Sequence, residues 1–79
     1  MKAYDLIDTP LEELDDLYIG VVEFRTTDPD KMVEYIKEMG ETQVDHLYSV
    51  EVYNSDEAFR HLGKSEYIRP SDFIAARSS

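Results

Sequence analysis

Apolar residues recur along this chain in two rhythms. Between Asp28 and Gly40 the rhythm is helical: Met32, Val33, Ile36 and Met39 form a stripe, with Tyr35 at its edge. Asp30, Glu34, Lys37 and Glu38 fall on the opposite side. Asp28 is suited to an N-cap, Pro29 to the first helical position and Gly40 to the residue after the last turn. This predicts a helix from Pro29 to Met39 that lays its stripe on a sheet. From Gln43 to Tyr53 the rhythm is two. Val44, His46, Tyr48, Val50 and Val52 alternate with Asp45, Leu47, Ser49, Glu51 and Tyr53, which predicts a half-buried strand.

Weaker patterns fill the rest. Thr9-Pro10-Leu11-Glu12 reads as a capping box opening a short acidic helix to about Leu17, with Leu11, Leu14 and Leu17 as its stripe. Tyr18 to Thr26 is rich in β-branched and aromatic residues and reads as a strand. Ser55 opens a third helix, with Ala58, Phe59 and Leu62 inward and Gly63 ending it. Tyr67 to Ala75 reads as a last strand, which Pro70 confines to an edge or a bend. Residues 76–79 read as a frayed tail. The expected fold is α+β: a small two-layer sandwich, in the order α-β-α-β-α-β, with helices on a two- or three-stranded sheet. The helix between the first two strands suits a parallel crossover, although an antiparallel arrangement also satisfies the pattern.

The chain has 79 residues. That length suits one domain, taken as residues 1–79, with one core and little room for a deep cleft. There are no cysteines, and the opening Met1-Lys2-Ala3-Tyr4-Asp5 has no basic run leading into an apolar one. A cytoplasmic setting is expected, and no apolar run is long enough to enter a membrane.

Charge changes the picture most. Eighteen Asp and Glu oppose eight Lys and Arg, a net charge of −10. Only the stretch from His61 onward reverses the sign, with Lys64, Arg69 and Arg77 against Glu66 and Asp72. Such a field repels nucleic acid and anionic membranes and attracts basic protein surfaces. Solubility alone accounts for acidity in many small domains.

The parts of an enzyme are not in view. Glycine occurs only at positions 20, 40 and 63, too sparsely for a phosphate-binding loop. Asp28-Pro29-Asp30 lacks the remaining ligands of a calcium loop and is better explained as a helix cap. His46 beside Asp45 has the elements of a general base, but a half-buried structural histidine is the commoner arrangement; His61 beside Arg60 is an ordinary surface residue. Neither a metal nor a cofactor is expected, and the domain reads as non-catalytic.

Two classes of function remain. The first is a protein-binding domain that occupies a basic surface on a partner, such as a nucleic-acid-binding protein, and blocks it by charge mimicry. By size and charge alone this is analogous to the inhibitors that phages and mobile elements direct at host proteins. The expected contact residues are Glu12, Glu13, Asp15, Asp16, Asp45, Glu51, Tyr53, Asp56 and Glu57. Tyr53 is included because tyrosine suits recognition surfaces and the chain has six tyrosines and no tryptophan. The second is an accessory or assembly subunit that pairs through an open sheet face carrying Leu47 and Tyr53, with a partner or as a homodimer, its acidity serving solubility. Under both readings the isolated domain should not shift DNA or RNA in a gel at physiological salt. Micromolar binding there would contradict the electrostatic reading.

Overall fold

A computed structural model describes residues 1–14, 20–54 and 65–78. Its elements are β1 (Lys2–Ile7), a 3-10 turn (Leu11–Glu13), β2 (Val22–Thr26), α1 (Pro29–Met39), α2 (Glu41–Leu47), β3 (Ser49–Asn54), β4 (Glu66–Ile68) and α3 (Pro70–Ser78). The class is mixed α and β as expected. The order differs, and among the described residues the sheet has four strands in the order β2-β1-β3-β4, with every neighbouring pair antiparallel. β2 and β3 flank β1 and therefore run parallel to each other without touching. The helical connection does join two strands of like direction, but β1 lies between them.

The helix from Pro29 to Met39 forms as its sequence dictates. The Asp28 carboxylate accepts the Asp30 N–H at 3.0 Å, Pro29 opens the first turn, and Gly40 leaves it at φ 94°, where a side chain would be strained. Met32 and Ile36 are fully buried, with Val33, Tyr35 and Met39 around them. The core joins them to Leu6 and Val50 from the sheet, Val44 from α2, and Phe73 and Ile74 from α3. Leu6 pairs in register with both Phe24 and Val50, so one sheet face presents a continuous apolar row to the helices. Aromatic contacts close its margins. Phe24 stacks flat on Tyr35 at 4.3 Å between ring centres, and Tyr4 meets the edge of Phe73 at 5.4 Å.

Several expectations are corrected. The central strand β1 was not anticipated, because Asp5 places a charge at a fully buried position and hides the alternation. The acidic helix expected after Thr9 is not present over residues 9–14, and its remainder to Leu17 lies outside the described residues. Pro10 holds Thr9 out of the helical region, and Thr9 is buried at the end of β1, its carbonyl accepting the Ser49 hydroxyl at 2.8 Å and its own hydroxyl donating to the Asp8 carbonyl. Only a 3-10 turn follows, and Leu14 is already extended. Of the first predicted strand, Val22–Thr26 forms β2, Gly20 and Val21 precede it outside the ladder, and Tyr18 and Ile19 lie outside the described residues. The stretch from Gln43 to Tyr53 divides into α2 and β3, because Val44 reaches the core from a helix and the chain becomes extended only at Tyr48. Pro70 does not bend a strand. It stands at the start of α3, where no N–H is needed, and β4 ends before it. The expected frayed tail is largely helical, since α3 runs to Ser78 and Arg77 pairs with Asp30 at 2.9 Å. The third expected helix, from Ser55 to Gly63, lies outside the described residues.

Ile36 is wholly enclosed, so Ile36→Ala should lower stability by about 2–4 kcal/mol. Denaturant melts of the two proteins check this. Coincident midpoints would contradict the core assignment.

Candidate functional site

The sheet face away from the apolar row carries a second, polar row. Arg25 pairs in register with Asp5, Asp5 with Glu51, and Glu51 with Tyr67, one residue from each strand. Asp5 has no solvent exposure and Glu51 almost none. Residues directly opposite in an antiparallel pair hold their Cβ atoms about 5 Å apart, where two ionised carboxylates repel by about 3 kcal/mol at an effective dielectric constant near 20. The neighbours offset this. Arg25 forks onto Asp5, Nε to Oδ1 at 2.9 Å and Nη2 to Oδ2 at 3.0 Å, and the Tyr53 hydroxyl donates to Oδ1 at 3.0 Å. The Tyr67 hydroxyl donates to Glu51 Oε2 at 3.3 Å. The guanidinium of Arg25 is held more firmly in its charged form, first by its hydrogen bonds to Asp5 and then by that carboxylate's charge. Among the described residues, no buried side-chain nitrogen or oxygen lacks a hydrogen-bond partner.

Ala3, Ile7, Ser49 and Tyr53 are also buried on this face, so at β1 and β3 it is not an open surface. Leu47 is exposed, but it belongs to α2 and not to the sheet. Leu47 and Tyr53 therefore do not share a sheet face.

A different arrangement occupies the end of the sheet where β1 finishes. The Asp8 N–H donates to the Val21 carbonyl at 2.8 Å, and the Ser49–Thr9 bond ties the same turn to β3. Gly20 lies so close that a Cβ there would overlap the Thr9 hydroxyl. Around this turn, Asp8, Thr9, Pro10 and Glu13 line a shallow depression. Glu23 stands on β2 where the register shifts, one residue more than β1 can pair. Burial, then the charges of Glu23 and Asp8, push the Tyr48 hydroxyl above its ordinary range. Glu12 is turned toward Arg69, Nη2 to Oε1 at 2.8 Å. Its carboxyl is held below the usual range, first by its own backbone N–H and then by Arg69. Asp8, Glu12, Glu13 and Glu23 are all exposed.

The expected contact residues thus separate. Glu12 and Glu13 lie at the acidic end of the sheet. Glu51 and Tyr53 lie within the buried row. Asp45 is half-buried on α2 and caps α3, accepting the Ser71 N–H at 2.9 Å and the Ser71 hydroxyl. Asp15, Asp16, Asp56 and Glu57 lie outside the described residues. Sequence reasoning missed Asp8 and Glu23, which no local pattern marks and which only the antiparallel pairing brings together. It also missed the role of Asp5. His46 is exposed on α2, and among the described residues no group of three or more His, Asp or Glu is placed to hold a metal. No helix among them is long and apolar enough to cross a membrane.

Tyr53→Phe keeps the ring and removes one donor from the buried Asp5 carboxylate. It should cost about 1.5–3 kcal/mol in a urea melt. A loss within experimental error would show that the hydroxyl contributes nothing to the row. Comparison with protein-family models, curated proteins and solved structures gives no match, so the reading of this site rests on its own residues.

Proposed function

We propose that this chain is a non-catalytic, acidic protein-binding domain that occupies a basic surface of its partner through the acidic end of the sheet. The observation that carries the reading is how the carboxylates divide. Asp5, Glu51 and Asp45 are engaged inside the fold. Asp8, Glu13 and Glu23 are exposed at one end of the sheet and form no ion pair among the described residues. Solubility asks only that charge be spread over the surface. Three carboxylates gathered on one turn and one strand bulge repel each other in the free protein, and a cationic partner relieves that repulsion. Asp15 and Asp16 follow this turn in sequence and join the proposed surface on that ground.

A partner whose basic surface binds nucleic acid suits this charge best, because carboxylates fixed on a small domain can stand where phosphates would. The proposed mode of action is competitive: the domain covers the partner's cationic surface and excludes nucleic acid from it. The small size, the charge and the lack of cysteine accord with a cytoplasmic inhibitor of the kind carried by phages and mobile elements. No cofactor enters this mechanism.

The test is capture from a bacterial lysate on immobilised wild type and on an Asp8→Lys, Glu13→Lys variant. Wild type should retain nucleic-acid-binding proteins, which rising salt releases and duplex DNA displaces. The variant should lose them without a fall in Tm. Retention that ignores salt and DNA, or that survives the charge reversal, contradicts the proposal.

A further inference from the structure

β2 is an edge strand. It pairs with β1 on one side, and among the described residues no strand pairs with it on the other. An edge of this kind presents unpaired N–H and C=O groups that can accept another strand. Beside it α1 leaves a groove lined by Phe24, Lys31, Glu34, Tyr35 and Glu38. Phe24 and Tyr35 lie face to face, 2° from parallel, and both are half-buried, so aromatic surface remains open along the groove. Glu34 and Glu38 are exposed and one helical turn apart, a like-charge spacing that weakens a free helix slightly.

From this geometry we infer that the outer edge of β2 receives an extended segment of a partner protein carrying lysine or arginine, with one basic side chain lying in the groove against the Phe24–Tyr35 pair and between Glu34 and Glu38. The placement follows from strand pairing. Phe24 points toward α1, and a residue paired opposite it on an added strand points the same way, into the groove. Aromatic faces attract cations, and two carboxylates hold a guanidinium or ammonium at their rim. Among the described residues, Lys31 is the only cation in the lining. The occupant is a basic segment and not a second copy of this chain, because each copy carries a net charge of −10 and would bring Glu23 and Glu34 against their own kind. The register shift near Glu23 leaves Phe24 to Thr26 as the regular part of the edge, so the added strand is short and its affinity depends on the groove.

The inference rests on the reading of a basic partner and adds a second contact with a defined backbone conformation. The probe is an acetylated, amidated octapeptide of alternating lysine and valine, titrated into the isotope-labelled full chain and followed by amide chemical shifts. The control peptide is N-methylated at alternate residues, made in both registers, which keeps the charge and blocks strand pairing. The unmethylated peptide should shift the amides of Val22–Thr26 and the Tyr35 ring. One methylated register should lose this, and Glu34→Lys with Glu38→Lys should weaken it about tenfold. Shifts confined to Asp8, Glu13 and Glu23, and indifferent to methylation, overturn the inference and leave the proposed acidic end standing. Shifts showing dimerisation of the chain, or none anywhere at ~1 mM peptide, overturn it as well.

Discussion

A carboxylate without access to water must be held by its neighbours, and Asp5 is the point at which this fold meets that constraint. It sits in the middle of the central strand, fully buried, between Arg25 on one side and Glu51 on the other. An unpaired charge there would cost several kcal/mol. The Arg25 fork and the Tyr53 hydroxyl remove that cost only if β2 and β3 lie in one particular register. A slip of one residue on either strand would turn the donors to the other face and leave the charge stranded. Asp5 therefore adds specificity as much as stability. It selects the pairing that also aligns Leu6 with Phe24 and Val50 beneath the helices.

The same register governs the surface. Once Ile7 is paired with Val22 and Ser49, the chain must turn at Asp8 and Thr9, and Glu23 falls at the shift in the ladder. The exposed acids of the sheet end are thus placed by the buried one. Of the described arginines, only Arg69 reaches this end, where it pairs with Glu12 and leaves Asp8, Glu13 and Glu23 without an ion pair among the described residues. Arg25 is committed to Asp5, Arg69 to Glu12 and Arg77 to Asp30. The last two pairs are solvent-exposed and worth about 0–1 kcal/mol each. They position β4 and α3 against distant parts of the chain more than they stabilise them.

What could be read from the sequence depended on whether local and long-range demands agreed. The helix from Pro29 to Met39 was legible because cap, proline, stripe and terminating glycine all point the same way. The boundary at Tyr48 was not, because Val44, His46 and Tyr48 satisfy a strand rhythm as well as Val44 and Leu47 satisfy a helical one. Contact with the core decides in favour of α2. β1 was hidden by the residue that matters most in it, since a charged Asp5 argues against burial until its partners are known. Those partners, Arg25, Tyr53 and Glu51, are remote in sequence, and no spacing rule joins them. The acidity of the chain was legible from composition, and the adjacency of Glu12 and Glu13 from the sequence itself. Asp8 and Glu23 become neighbours only through the sheet.

The dependence of the fold on Asp5 is tested most directly by a double-mutant cycle with Arg25. Urea unfolding would be measured for wild type, Arg25→Ala, Asp5→Ala and the double variant. Arg25→Ala strands a buried charge and should cost about 3 kcal/mol. The same change made in the Asp5→Ala background should cost under about 1 kcal/mol, a coupling well above that of exposed ion pairs. Additive costs in the four proteins would contradict the account and reduce the pair to an ordinary surface contact.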